Sequence, residues 1–259
     1  MAETKDVLAL AVETGDALLR NGAEVYRVVD TVIHILKAYE IEDYDVYVLS
    51  NGIFASANED KDDACSMIRH VPLGSMHLGR VAALNQLSRE ICSHACSLPD
   101  AWVRLQECKT IPYSKKHVLV FFCGLNCGCF SYLFGGHALD AILSFCVGML
   151  LQLLLDELKC HKNSKFITNI LGSAFITLLA LIILIIGIPI QFDKIIIGSI
   201  MPLVPGISLT TSIRDFFNGD YLSGAIHMID AILTAFCIAV GVGTVITIYR
   251  VVFGGTLLV

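Results

Sequence analysis

Five long apolar segments in the second half of the sequence constrain the fold more than any other feature. They cover residues 118–135, 138–155, 166–190, 194–213 and 223–248. Each is close to the ~20 residues that a helix needs to cross a bilayer. Hydrophobic residues make up 55% of the 259 residues, and the mean hydropathy is +0.70. We therefore predict a membrane α-helical bundle of about five transmembrane helices over residues 115–259.

Residues 1–114 have a different character, because they hold 17 of the 24 carboxylates and 10 of the 18 Lys and Arg residues. Apolar residues at helical spacing alternate there with β-branched and aromatic stretches that favour strands. The predicted order is two helices, three strands and two helices, over residues 6–20, 23–39, 44–49, 53–57, 64–69, 75–96 and 99–109. This order indicates an N-terminal α+β domain with an acidic loop at residues 58–63.

Basic residues beside the apolar segments predict the orientation. Six lie on one side, Lys115, Lys116, Lys159, Lys162, Lys165 and Arg214, and two lie on the other, Lys194 and Arg250. Because Lys and Arg concentrate on the cytoplasmic side, we expect a multi-pass protein of the cell (inner) membrane with a cytoplasmic N-terminal domain and its C-terminus outside. Residues 1–19 are acidic and amphipathic and do not have the pattern of a signal peptide.

The segment from Met201 to Asp215 interrupts the fourth apolar run. Pro205 and Gly206 should break the helix there, near the middle of the membrane, and expose backbone groups that need protein or a water-filled cavity around them. The start of the second half-helix would attract an anionic group such as a carboxylate. We assign Pro205, Gly206, Ser208 and Thr210 to substrate binding. The alternative is a proline kink that binds nothing.

Two ionisable residues lie within the fifth apolar segment. His227 and Asp230 are three residues apart and would share one helical face. Such groups are costly in lipid and usually face a cavity or each other. They are either a proton-titrating pair or a shallow, water-exposed pair at the cytoplasmic edge.

The first two apolar segments carry further candidates. Asn126 lies among small residues. It either contacts the substrate or belongs to a helix face that serves only close packing. Gly135 and Gly136 form a very short outer turn, and Asp140 opens the next span, where it is either solvated or part of an outer gate. At the cytoplasmic end of the fourth segment, Arg214 and Asp215 would form the opposite gate.

Other classes of function find little support in the sequence. The net charge of −6 does not favour a nucleic-acid partner. Cys123, Cys127 and Cys129 lack a fourth ligand for zinc, so small residues on a helix face are the better interpretation, and we expect no metal and no cofactor. Residues 1–114 show no nucleophile motif and no phosphate-binding loop, so we expect no enzyme. The acidic helix faces of that domain could instead contact a partner or bind a regulatory ligand.

An odd number of spans implies that this chain is one half of a transporter and that a second half exists. Transporters with inverted repeats pair two units of opposite orientation, and this chain contains no internal copy of itself. We expect another chain to supply the complementary unit.

Several sequence blocks resemble the threonine/serine exporter family across nearly the whole chain. They are residues 14–31, Asn51–Phe54, Leu84–Arg89, Gly135–Gly136 with Asp140, Pro205–Gly206 through Arg214–Asp215, and Gly219–Gly224. The resemblance implies secondary export of small metabolites driven by the proton gradient. It also implies that Asp230 occupies the usual acidic position of the last span, whereas His227 is not expected from the family.

Members of this family are either one long chain with two five-span parts, or a large subunit with the soluble domain plus a small membrane subunit, a type linked to succinate export. With five spans, this chain looks like the large subunit. The resemblance thus favours a proton-coupled exporter subunit for threonine/serine or a dicarboxylate such as succinate, within a higher oligomer. The alternatives are a membrane-anchored enzyme or ligand-sensing domain that acts on a small molecule, and a scaffold.

Overall fold

A computed structural model describes residues 3–58, 63–72, 74, 76–94, 96–160 and 163–253. The middle of the predicted acidic loop (59–62), the predicted helix start at Ser75 and the basic residue Lys162 lie outside the described residues. Residue contacts divide the chain into two compact units. The first unit comprises Met1–Tyr113 and Thr211–His227, and the second comprises Ser114–Thr210 and Met228–Val259. The grouping of residues 211–227 with the N-terminal part is not foreseen by the sequence, and the domain boundary at residue 114 stays a prediction.

The first unit contains four helices and an antiparallel sheet in the N-terminal part of the chain. They are α1 (Thr4–Arg20), α2 (Val25–Ala38), β1 (Tyr44–Leu49), β2 (Gly52–Ala57), β3 (Cys65–His70), α3 (Leu78–Cys92) and α4 (Leu98–Thr110). The strands pair in the order β1-β2-β3. The predicted order of two helices, three strands and two helices is confirmed.

Helix α1 is the centre of this part, because it packs on both the other helices and the sheet. Most of its apolar residues are buried, and Leu8, Leu10 and Leu18 are fully so. At Gly15 a Cβ atom would lie only 2.9 Å from Cγ2 of Val32 on α2. The absence of a side chain there lets α1 and α2 approach closely, as a helical hairpin requires.

The predicted stop after α1 is confirmed at Asn21 and Gly22. Gly22 has φ +84°, a left-handed conformation that glycine adopts without steric cost. The N–H of Ala23 donates to the carbonyl of Leu18, and the N–H of Gly22 donates to that of Leu19. These two bonds form a Schellman motif, which satisfies carbonyls that the end of α1 would leave unpaired.

The remaining described helices carry the apolar segments. They are α5 (Lys116–Leu133), α6 (Ala138–Cys160), α7 (Lys165–Ile185), α8 (Phe192–Ile200), α9 (Gly206–Asn218) and α10 (Tyr221–Phe253). In the described part of the chain four helices are long and apolar enough to cross a membrane, and α8 with α9 makes a fifth if the bent pair counts as one span. This range of four to five includes the predicted number of about five. The third is shorter than predicted, because the left-handed Gly187 follows α7 closely.

Glycines set the packing distances in the second unit. On α5, Cβ atoms at Gly124 and Gly128 would lie 2.7 and 2.8 Å from backbone carbonyl oxygens of α6. On α8, a Cβ at Gly198 would lie 2.6 Å from the backbone nitrogen of Ser131 on α5. Small residues at such positions allow helix backbones to approach closely in membranes. Helices α5, α6 and α8 therefore form one tightly packed group.

We expect the Gly198→Ala substitution to destabilise this group, because the new methyl group would meet the α5 backbone rather than a flexible side chain. Overpacking of this kind costs about 1–3 kcal/mol. The measurement is the thermal unfolding midpoint of the purified protein in detergent. Gly243→Ala is the control, since nothing lies within 4 Å of its Cβ position, and both variants gain the same helix propensity. Equal midpoints for the two variants would contradict the packing described above.

Candidate functional site

The predicted interruption of the fourth apolar segment is confirmed. Helix α8 leads into a 3-10 turn, Met201–Leu203, and α9 begins at Gly206 at an angle of 59°. Val204 between them is extended, and its carbonyl accepts the N–H of Gly206 at 2.9 Å. Nothing lies within 4 Å of the Cβ position of Gly206. The start of α9 is therefore open, and its first N–H groups carry the partial positive charge of a helix N-terminus.

Three polar side chains meet beside this break. Ser208 Oγ donates to Oδ2 of Asp230 at 3.2 Å, and Lys165 Nζ lies 2.9 and 2.7 Å from the two carboxylate oxygens of Asp230. The Asp230 side chain is 17% exposed and that of Lys165 is 53% exposed. The cluster thus joins the first turns of α7 and α9 to α10, all within the second unit. It brings together two residues, Ser208 and Asp230, that the sequence singles out separately.

Each charged group of this cluster has a partner of opposite charge that a charged solute could replace. The carboxylate of Asp230 is stabilised by the Lys165 ammonium and by its place near the N-terminus of α9. Lys165 itself is the first residue of α7, where a positive charge is unfavourable unless an anion compensates it. A solute carboxylate could replace the carboxylate of Asp230 as the partner of Lys165. A solute ammonium group could replace Lys165 as the partner of Asp230.

The other predicted contacts around the break lie apart from this cluster. The hydroxyl of Thr210 is exposed and donates back to its own helix, to the carbonyls of Gly206 and Ile207 at 3.0 Å each. Asn126 is exposed on α5 and makes no hydrogen bond within the described residues. Their roles in substrate binding stay predictions.

Asp140 connects two elements at the opposite end of the second unit. It is buried, and its Oδ2 accepts the N–H of His137 at 2.8 Å while its Oδ1 accepts the N–H of Gln191 at 3.0 Å. The preceding turn is a second Schellman motif, with Gly135 at φ +94° and the N–H of Gly136 donating to Ser131. Asp140 thus fixes the start of α6 to the residue before α8. A gating role for these residues stays a prediction.

The remaining candidates lie in the first unit, at the end of α9 and the start of α10. Arg214 forms an ion pair with Glu24, the residue before α2. Asp215 is 1% exposed, and its Oδ2 lacks a hydrogen-bond partner within the described residues. His227 Nε2 lies 4.0 Å from that oxygen. The two members of the predicted proton-titrating pair therefore belong to different units, and His227 lies near Asp215.

Two further hydrogen bonds hold this connection in the first unit. The N–H of Ser50, in the turn between β1 and β2, donates to Oγ of Ser223 at 3.1 Å. Ser212 Oγ donates to the carbonyl of Gly224 at 2.8 Å. The turn between α9 and α10 is thus attached to the sheet as well as to the start of α2.

The cysteines in the N-terminal part of the chain are poor nucleophiles. Burial raises the pKa of the thiols of Cys65, Cys92, Cys96 and Cys108, so they stay protonated at neutral pH. The described ranges also contain no group of three His, Cys, Asp or Glu side chains that could hold a metal ion. Cys127, one of the three clustered cysteines, is buried against Gly148 on α6.

Comparison with known proteins assigns the family. The model of a family described as "Putative threonine/serine exporter" matches residues 9–249. The chain belongs to the threonine/serine exporter family. With its apolar helices, this membership indicates a multi-pass membrane protein of transport function.

Two relatives from this comparison are both 24% identical to the chain. One is a protein of Mycobacterium tuberculosis named "Probable threonine/serine exporter", matched over 92% of this chain and 45% of its own length. The chain thus spans less than half of that exporter. The other, from Klebsiella aerogenes, is named "Probable succinate transporter subunit YjjP", and the match covers 96% of each protein. No solved structure matches the chain.

Two residues of these clusters escape the sequence analysis. Lys165 counts there only toward orientation, because nothing in the neighbouring sequence connects it with Asp230, 65 residues later. Glu24 belongs to the acidic face of the first two helices, and no local pattern connects it with Arg214, which is 190 residues away (214 − 24).

We expect opposite charges at residues 24 and 214 to stabilise the first unit. Glu24→Arg and Arg214→Glu should each lower the thermal unfolding midpoint. The double reversal should restore the part of the loss that comes from this pair, but not the part from Arg27, which also pairs with Glu24 at 3.0 Å. Since the arginine side chain is 46% exposed, the coupling free energy should be about 0.2–1 kcal/mol. Additive losses in the double variant would show that the two charges do not interact.

Proposed function

We propose that the chain is a subunit of a proton-coupled secondary exporter of small carboxylate-bearing metabolites, either threonine/serine or a dicarboxylate such as succinate. The observation that carries this proposal is the contact of Asp230 with Lys165 and Ser208 beside the open start of α9. Ionisable groups in apolar helices commonly form proton and substrate pathways. The names of the two relatives support the solute classes, and membership in a transporter family argues against an enzyme.

The solute carboxylate would bind Lys165 and the backbone N–H groups of the first turn of α9, which the break at Pro205 and Gly206 exposes. Broken helices of transporters bind anionic groups with such half-helix N-termini. Ser208 would add a hydroxyl, with Thr210 and Asn126 as further contacts. Asp230 would carry the proton.

Proton coupling would differ between the two solute classes. The ammonium group of an amino acid would bind ionised Asp230, so a proton on Asp230 would displace the solute. Such competition produces exchange of solute for proton, and an inward proton gradient would then drive export. A dicarboxylate offers no cation to Asp230 and would bind best when Asp230 is protonated. Its proton would travel in the same direction as the solute, so the outward concentration gradient of the dicarboxylate, and not the inward proton gradient, would drive its export.

The two ends of the pathway would be controlled by different residues. Arg214 and Asp215 would form the cytoplasmic gate, with His227 beside Asp215 as a second proton-titrating group. Gly135, Gly136 and Asp140 would form the outer gate. In this arrangement the N-terminal domain is cytoplasmic and the C-terminus is outside, as the distribution of basic residues favours.

The complementary half of the transporter would come from a small membrane subunit with four or five transmembrane helices, within a higher oligomer. The word "subunit" in the name of the Klebsiella aerogenes relative supports a partner. Co-purification of the tagged chain with the product of a neighbouring reading frame that encodes four or five apolar segments tests this. Full transport activity of the purified chain alone in proteoliposomes would contradict it.

We expect Asp230→Asn to abolish transport driven by a pH gradient, because the amide cannot bind and release a proton at neutral pH. Exchange of labelled for unlabelled succinate without a gradient should continue, whereas exchange of serine or threonine, whose ammonium group would bind ionised Asp230, should weaken. The assay is uptake of labelled serine, threonine and succinate into proteoliposomes that contain the chain with its partner. Asp193→Asn is the control, since Asp193 also pairs with a lysine in the second unit. Unchanged gradient-driven transport would contradict the role of Asp230.

Lys165→Gln should raise KM for the transported solute about 10- to 100-fold, the loss of one charge-assisted hydrogen bond. Lys194→Gln removes the lysine of the control pair and should leave KM unchanged. An equal KM in the Lys165→Gln variant would show that Lys165 does not bind the solute carboxylate.

A further inference from the structure

A polar cleft of about 490 Å³ lies in the first unit, apart from the cluster around Asp230. Its charged and aromatic lining consists of Glu13, Asp16, Arg20, Arg80, Lys109 and Tyr113. The volume falls within the usual range of small-molecule sites. The lining residues come from α1, the start of α3, the end of α4 and the segment that follows α4.

Asp16 supplies a carboxylate that is only half satisfied. The residue is 6% exposed, its Oδ2 accepts Nε of Arg20 at 2.7 Å, and its buried Oδ1 has no hydrogen-bond partner within the described residues. The same ion pair raises the pKa of Arg20. A buried acceptor without a donor costs free energy. A ligand N–H group that reached Oδ1 from the cleft would remove this cost.

Arg80 supplies a cation that is held in place without an acidic partner. Its Nε donates to the carbonyl of Ile111 at 2.9 Å, and its guanidinium carbon lies 5.1 Å from the ring centroid of Tyr113. Within the described residues no carboxylate forms an ion pair with it. These contacts orient the guanidinium and leave its terminal N–H groups for an anion, which arginine binds in a bidentate geometry.

The other charges of the cleft are mutually engaged. Glu13 forms an ion pair with Lys109 and lies 3.5 Å from Arg69. The lining therefore contains three cations, of which two are paired within the cleft, and two carboxylates. In a ligand with two negative charges, one could pair with Arg80, but the other would find only cations that already pair with Asp16 and Glu13. A ligand with one carboxylate and one ammonium group complements Arg80 and Asp16 together.

We propose that this cleft binds a small zwitterionic metabolite of the α-amino acid class. The ligand carboxylate contacts the guanidinium of Arg80, and the ligand ammonium donates to Asp16. The cleft is a binding site in its own right, distinct from the proposed transport site, and it gives the first unit a means to respond to free amino acids.

The test is L-serine binding by isothermal titration calorimetry to the full chain in detergent, carrying Lys165→Gln so that the proposed transport site is disabled. L-serine should bind to this protein. Addition of Arg80→Gln should raise Kd at least about tenfold, whereas Arg80→Lys should give an intermediate Kd. The control Arg89→Gln, an exposed arginine of the same helix outside the cleft, should leave Kd unchanged. Thermal unfolding of each unliganded variant identifies any that do not fold.

A second variant separates the two ends of the ligand. Asp16→Asn should raise Kd for L-serine and leave Kd for L-lactate, which lacks the ammonium group, unchanged within about twofold. The proposal is overturned if L-serine does not bind, if folded Arg80→Gln protein binds it normally, or if succinate or inorganic phosphate binds more tightly than L-serine. Because the transport assays above do not depend on this cleft, either proposal can fail without the other.

Discussion

The candidate transport site depends on the contacts of the Asp230 carboxylate with its two polar neighbours. A carboxylate in an apolar helix must be compensated, and here the compensation comes from Lys165 at the first residue of α7 and from Ser208 at the first turn of α9. Three segments that are distant in sequence are thereby held at one point. The same contact fixes the position of the start of α9. The break therefore has a cation and an anion beside it and is more than a simple kink.

Helix α9 has different surroundings at its two ends. Its first turn carries Ser208, which contacts Asp230 in the second unit, while its last turns carry Arg214, which pairs with Glu24 in the first unit. The 13 residues of α9 are thus divided between the two units, with the division between Thr210 and Thr211. The cleft near Arg80 belongs to the first unit alone, and the proposed transport cycle does not require it.

Much of the fold is readable from the sequence, because it depends on local patterns. Apolar run lengths predict the long helices, and Asn21-Gly22 and Pro205-Gly206 mark a helix end and a helix break through backbone geometry alone. The partners of the charged groups are not readable in this way. The contacts of Asp230 with Lys165 and of Arg214 with Glu24 connect residues 65 and 190 positions apart, and only tertiary packing decides them. For the same reason the position of residues 211–227 in the first unit could not be foreseen.

The buried Asp140 has a mechanical consequence. It links the start of α6 to Gln191 before α8, and Gly198 seats α8 directly on α5. We therefore expect these three helices to move together, since sliding α8 alone would break the hydrogen bond between Asp140 and Gln191 and open a close-packed contact. The opposite end of α8 is less regular, because a 3-10 turn, an extended residue and a proline interrupt the helical backbone hydrogen bonds there. Movement of α8 relative to α9 would thus pivot at the broken segment, and the residues proposed to bind the solute lie at this pivot.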